Sequence, residues 1–332
     1  MIKVTSIRLR IGGTSMYNQP IFLEPVFKER IWGGTKLRDV FAYDIPSPQT
    51  GECWGISAHP NGPSIIRNGP LEGKTLIEAW ENHRELFGDA KEDRFPLLIK
   101  ILDADTDLSV QVHPDDTYAN EHENGELGKT ECWYVIDCEP GAELIFGHNA
   151  STKEELAEAI EQGKWDSLLK RVPVQKGDFF YVPSGTIHAL GKGTLILETQ
   201  QSSDTTYRVY DFDRLDDNGN KRELHVESSI NVTTVPHVDH PTNRVCQEQE
   251  GLKNTQLVAE EFFSVYEWKL CGTVERTAPN HYLLASVLDG SGEIVVDGIS
   301  HRFEKGSHFI IPATIGTYSI AGGATLIVSH TP

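Results

Sequence analysis

From Pro20 onward the chain is punctuated by short apolar runs bounded by Gly, Pro and polar turns, the pattern of short β-strands. Residues 20–73 read as strands and turns. Thr75–Phe87 changes to helical spacing, with Thr75 placed to cap it and Glu78 three residues on, a capping-box pattern. Phe95–Val112 gives two strands, PLLIKIL and LSVQVH. Asp115–Lys129 is polar and acidic, a loop or short helix, and Cys132–Ile136 reads as strand. Ser151–Arg171 is helical again, with Ser151 as cap and Glu154 three residues later. Strands resume at Asp178–Val182 and Thr194–Thr199, Thr205–His225 reads as loop, and His237–Glu250 reads as linker. Phe262–Ser329 is then nearly unbroken strand with Gly turns. So many short strands predict a mainly β fold of barrels or jelly rolls with short helical insertions.

A repeat refines this. Gly177-Asp-Phe-Phe-Tyr-Val-Pro183 resembles Gly306-Ser-His-Phe-Ile-Ile-Pro312, and the first copy runs on to His188 where the second has Thr317. Two related barrels are expected: 20–245 as a catalytic domain with helical insertions, and 250–332 as a metal-free companion. Residues 1–19 are expected to be a disordered or adventitious leader, since they carry positive charge but no long apolar core.

Composition narrows the classes. Among 332 residues, 30 Lys and Arg stand against 49 Asp and Glu, a net charge of −19, which opposes nucleic-acid binding. An anionic small substrate would need a local basic pocket. The five Cys form no CxxC and leave an odd count, so neither a disulfide framework nor a thiolate zinc site is suggested. A reducing cytoplasm fits. No run approaches the roughly 20 apolar residues of a membrane span.

Candidate metal chemistry lies in the first barrel. Gln111 and His113, two apart in SVQVH, share one face of a strand, and Val110 and Val112 take the other. Glu131 opens the next strand. His188 follows a tight Gly/Pro turn. N and O ligands converging from neighbouring strands inside a small barrel suit zinc or another borderline divalent ion, with a position left open for water or substrate. Gly177, Pro183, Gly185 and His188 form the Gly-x5-Pro-x-Gly-x2-His motif of the cupin superfamily. The Gln111-x-His113…Glu131 set resembles its other motif, with Gln in place of the first His and an insertion before the Glu.

Six segments in this order carry a closer resemblance: ERIWGG (29–34), GECWGISAHP (51–60), PLLIKILDA (96–104), LSVQVHPDD with KTECWYVI, YVPSGTIHAL, and ETQQSSDTTYRVYD (198–211). Together they resemble type I mannose-6-phosphate isomerases, short bacterial form, from about Pro20 to the C-terminus. The resemblance implies two cupin (double-stranded β-helix) barrels and one Zn2+ per chain on Gln111, His113, Glu131 and His188. It makes Arg208 catalytic and lines the pocket with Trp32, Lys100, Ser109, Lys129 and Glu198. The implied reaction interconverts D-mannose 6-phosphate and D-fructose 6-phosphate through a zinc-stabilised enediolate. The segment YRVYDFDR departs from the longer enzymes, which leaves Asp211 and Arg214 without an assigned role.

Lys100 and Lys129, with Ser109, are the candidate phosphate cations. The proton-transfer base stays open among Glu198, Lys129, His59 and a metal-bound water. The rival readings are an Fe(II) cupin oxygenase, a non-catalytic sugar-binding cupin and a cupin glucose-6-phosphate isomerase. A cytoplasmic monomer or weak homodimer, with a phosphosugar substrate and neither nucleic acid nor membrane as partner, completes the expectation.

Overall fold

The computed structural model describes residues 17–215 and 219–332. Most of the expected leader (1–16) therefore lies outside the described residues. Tyr17 is packed against the core, and its carbonyl accepts a hydrogen bond from Thr314 Oγ1.

The described residues form three antiparallel sheets. Two of them face each other to make the first barrel. The six-stranded sheet runs in the order Phe179–Val182, Glu131–Cys138, Thr194–Gln201, Leu97–Ala104, Thr50–Ile56, Val26–Gly34. The five-stranded sheet runs Tyr207–Tyr210, Val110–Val112, His188–Ala189, Glu143–His148, Leu169–Pro173. The nine-stranded sheet builds the C-terminal barrel around Ser264–Thr277, Leu283–Val296 and Thr317–His330. It also takes in Ile21–Glu24, which pairs with His308–Ile311.

Period-two alternation decides which side chains reach the first barrel's interior. On the six-stranded sheet Leu97, Ile99, Ile101, Cys132, Tyr134, Leu195 and Leu197 face the C-terminal barrel, packing with residues such as Phe263, Val265, Leu284 and Ile310. The alternate positions turn inward, where Trp133, Val135 and Ile196 pack against Trp32, Leu102 and Leu108. On the five-stranded sheet Val110, Val112, Ile187, Ala189, Tyr207 and Val209 pack outward on the helical insertions. That leaves Gln111, His188 and Arg208 for the inside. With both faces covered, Leu97–Ala104 is buried at every position.

The helices follow their caps. Thr75 caps Leu76–Asn82 with the complete capping box to Glu78, and a 3-10 turn continues it over Arg84–Phe87. Trp80 packs edge-on to Phe95 and Tyr282, tying this insertion to the C-terminal barrel. The second helix differs from expectation. Its cap is Thr152 rather than Ser151, it spans Lys153–Glu161, and Gly163 at φ 63° ends it. A single turn, Trp165–Leu168, follows, and the remainder of the expected helix is the strand Leu169–Pro173. Thr205–His225 also holds a strand, Tyr207–Tyr210, and the helix Val226–Val232 follows it. No helix among the described residues is long and apolar enough to cross a membrane.

The repeat is structural as well. Gly177 and Gly306 both take left-handed φ (88° and 87°), each followed by a four-residue strand, a Pro turn and a new strand. His188 and Thr317 are the first residues of those new strands.

Candidate metal centre and cavity

Register brings the expected ligands together. Gln111 lies opposite both His188 and Arg208, on the two neighbouring strands of one sheet. Glu131 comes from the facing sheet, where Gln200 and Val182 are its neighbours. His113, Glu131 and His188 are buried, with ligand atoms within 4.8 Å of one another. They are the only such group of His, Cys, Asp and Glu among the described residues.

Both imidazoles are oriented by carbonyls. His113 Nδ1 donates to Thr205 O at 2.9 Å and His188 Nδ1 to Thr186 O at 2.8 Å. That tautomer directs each Nε2 lone pair inward, the arrangement by which an outer hydrogen bond prepares a histidine ligand. Burial, reinforced by the Lys129 ammonium, pushes His113 down to about 3, and burial lowers His188 as well, so both rings are neutral. Their Nε2 atoms stand 3.4 and 3.3 Å from the two Glu131 oxygens.

Glu131 is fully buried, yet neither of its oxygens accepts a hydrogen bond. Burial would raise this carboxyl, but Lys129, His113 and His188 override it and hold it well below the usual range. Lys129 Nζ lies 3.1 Å from Glu131 Oε2 and 3.1 Å from His113 Nε2. A buried carboxylate held only by an ammonium ion pair and flanked by two inward lone pairs is a seat for a cation, and these donors fit a borderline divalent ion. Gln111 Nε2 is 3.3 Å from His188 Nε2. Turning the amide over would offer Oε1 to the same point.

The centre opens on a cavity of about 370 Å3, within the range for small-molecule sites. Its lining includes Trp32, Lys100, Ser109, Gln111, Lys129, Glu198 and Arg208 from the sequence reading. Glu198 sits opposite Lys100 and Trp133, accepts from Trp133 Nε1 at 3.2 Å and lies 3.7 Å from Lys100 Nζ. Burial, then the Glu131 charge, raises its carboxyl to about 7 against Lys129 and Lys100. Burial works against the Lys129 ammonium, but Glu131 and Glu198 outweigh it and raise its pKa, so it is cationic. Arg208 donates to Glu223 O at 2.6 Å, and its Nε is buried with no partner.

His59 is not part of the lining; its Nδ1 accepts from Asn61 N at 3.2 Å. The lining adds residues that sequence reasoning missed, among them Arg30, Glu52 and Arg222. Arg30 grips Glu52 with two hydrogen bonds, 2.9 and 3.1 Å, and Trp54 Nε1 donates to Glu52 at 2.7 Å. The signal for these was present: Arg30 shares a strand face with Trp32, as Glu52 does with Trp54. Arg222, in a polar loop, carried none.

Known proteins share much of this sequence and its fold. Residues 21–136 match the family model for the phosphomannose isomerase type I catalytic domain, and 253–331 match that for the mannose-6-phosphate isomerase cupin domain. The chain is 57% identical over 311 residues to the probable mannose-6-phosphate isomerase GmuF of Bacillus subtilis, covering 94% of this chain and 99% of that one. It is 56% identical to the mannose-6-phosphate isomerase of Streptococcus mutans, over 94% and 98% of the two chains. The crystal structure of the mannose 6-phosphate isomerase from Bacillus subtilis superposes with a TM-score of 0.92 at 56% identity, over 94% and 99%.

Proposed function

The chain belongs to the type I phosphomannose isomerases, and from that premise we propose that the cavity beside His113, Glu131 and His188 is its active site. The enzyme is an aldose–ketose isomerase, interconverting mannose 6-phosphate and fructose 6-phosphate. The observation that carries the assignment of the site is the union of a cation seat and a buried carboxyl raised to about 7 in one small cavity. Isomerisation needs both, because a carbon-bound proton must move and negative charge develops on the neighbouring oxygens.

His113, Glu131 and His188, with Gln111 as a fourth donor, would hold Zn2+. When bound, it supplies Lewis-acid stabilisation of that negative charge. The reaction involves no net redox change, which suits zinc and leaves no task for an Fe(II) oxygenase.

The chain's own groups do the rest. Glu198 carries the proton between C1 and C2, since its raised pKa suits a base working near neutrality. Lys129 is already cationic and so serves as an acid or charge stabiliser rather than as the base. Arg208 stabilises charge or clamps the substrate through its buried, unpartnered Nε. Trp32 walls the cavity and excludes water. Ser109 and Lys100 face the sugar.

The test is chelation and repletion. Chelation should abolish conversion of mannose 6-phosphate and zinc should restore it; full activity in demonstrably metal-free protein would refute the metal assignment.

A further inference from the structure

We propose that Arg222, braced by Asp211, is a phosphate ligand that works beside Arg208; this rests on the phosphosugar reading above. The argument starts from the charges that line the cavity. Arg30 is forked onto Glu52, which takes no other arginine, so that pair is balanced in charge. Lys129 is committed to Glu131. Lys100 is shared between Glu198 and the face of Trp54, 4.9 Å from its centroid. The two lysines that the sequence offered for a phosphate are therefore engaged at the chemical end of the cavity. The remaining lining cations are Arg208 and Arg222.

These two stand on a cluster with more cations than anions. Asp211 is 5% exposed and takes Arg222 Nε at 2.7 Å on one oxygen and Arg222 Nη2 on the other, an oxygen that Arg214 also bonds. Arg214 is fixed in turn by the carbonyl of Asp107. One carboxylate thus serves two guanidinium groups. Arg208 bonds only a neutral carbonyl and leaves Nε buried without a partner. It also lies close enough to Arg222 that, after burial, Arg222's charge is the next cause lowering its pKa. Arg208, Arg214 and Arg222 against Asp211 and the nearby Glu223 leave one positive charge in excess, in a chain of net charge −19.

The local fold creates this juxtaposition. Tyr207–Tyr210 presents Arg208 inward and leads directly into Asp211. The antiparallel bridge Leu215–Lys221 returns the chain so that Arg222 meets Asp211 again. Asp211 and Arg214, which had no role in the sequence reading, become the strut. A guanidinium held in place by a carboxylate loses little freedom on binding, and the N–H groups that Arg222 does not spend on Asp211, with the unpartnered Nε of Arg208, can donate to the oxygens of a phosphate dianion.

The test uses the zinc-loaded full chain and two readouts: steady-state kinetics with mannose 6-phosphate, and calorimetric binding of inorganic phosphate. Arg222→Gln should raise KM, and weaken inorganic phosphate binding, by about tenfold or more, with the larger effect on KM than on kcat. Arg222→Lys, which keeps the charge but not the fork, should fall between, and it carries the same readout if R222Q does not fold. Asp211→Asn should move both quantities in the same direction. Unchanged phosphate binding in folded R222Q or R222K would overturn the proposal. Phosphate binding that depends on Arg222 in a wild-type protein lacking isomerase activity would instead overturn the functional reading and leave this seat standing.

Discussion

Replacing Glu131 by Gln removes the anion of the proposed metal centre while keeping its shape. In metal-free protein the change acts first through Lys129, whose buried ammonium stands 3.1 Å from Glu131 Oε2. Unit charges at that separation attract by roughly 5 kcal/mol at an effective dielectric constant of about 20. Part of this is offset by lost hydration, and removing one partner of a buried pair costs about 3–5 kcal/mol. Urea unfolding of the metal-stripped variant at neutral pH, followed by Trp fluorescence, should show a loss of that size. The pH dependence gives a second check. In the native protein Glu131 and Glu198 outweigh burial and hold Lys129 above its ordinary 10.5. That contribution is full below 10.5 and is lost only as pH rises through the higher folded value. In E131Q burial prevails and Lys129 drops below 10.5. The folded state then binds fewer protons than the unfolded one, so the variant gains stability as pH rises toward that range. The double variant with Lys129→Met should recover most of the loss. Zinc at a hundredfold excess over its Kd should stabilise wild type by about 2.7 kcal/mol, and E131Q by much less at the same concentration. A metal-free E131Q that loses under about 1 kcal/mol, or a double variant no better than the single, would refute the reasoning.

Two further outcomes follow from the buried carboxyls. Glu198→Gln should lower kcat by about 10²–10⁴-fold. Wild-type turnover should rise with pH as Glu198 ionises, with its acid limb at or below about 7 because a bound cation offsets the push from Glu131. A pH–rate profile unchanged in the variant would remove Glu198 as the base. Asp103 is fully buried, with Oδ2 accepting from Lys36 N at 2.7 Å and Oδ1 unpartnered; burial raises its carboxyl to about 6 despite that bond and the Lys36 charge. The folded state therefore holds the proton longer than the unfolded one, and stability falls as pH rises from about 4 to 6, by at most about 3 kcal/mol. Asp103→Asn should flatten that slope and stabilise the protein by about 1–2 kcal/mol at neutral pH. Thermal midpoints across this range check it, and a slope identical to wild type would count against the assignment.

The sequence made the first barrel's interior largely legible because strand alternation is a strict code. Once SVQVH is a strand with its valines on the packed face, Gln111 and His113 must share the other. The rest was hidden for physical reasons that can be named. Gly163 ends a helix whose polar spacing continues past it, so the strand Leu169–Pro173 was absorbed into the helix. Thr152 and Ser151 both satisfy a capping pattern, and only the hydrogen bond to Glu155 N decides between them. Arg222 was invisible because its position depends on a carboxylate eleven residues earlier and on a turn whose polar residues carry no periodicity.

The fate of the repeat explains why a second barrel is present at all. Its turn geometry matches the first at Gly306, but its interior is an apolar cluster that includes Trp268, Phe303, Phe309, Ile320 and Leu326. Its outer face instead buries Ile99, Ile101, Tyr134 and Leu197, with Tyr134 donating to Glu267 across the junction at 2.6 Å. Those residues alternate along their strands with Lys100, Trp133 and Glu198. A strand wetted on one face could not hold the other as dry. The desolvation that raises Glu198 and strengthens the Lys129–Glu131 attraction thus depends on a barrel that contributes no residue to the cavity lining.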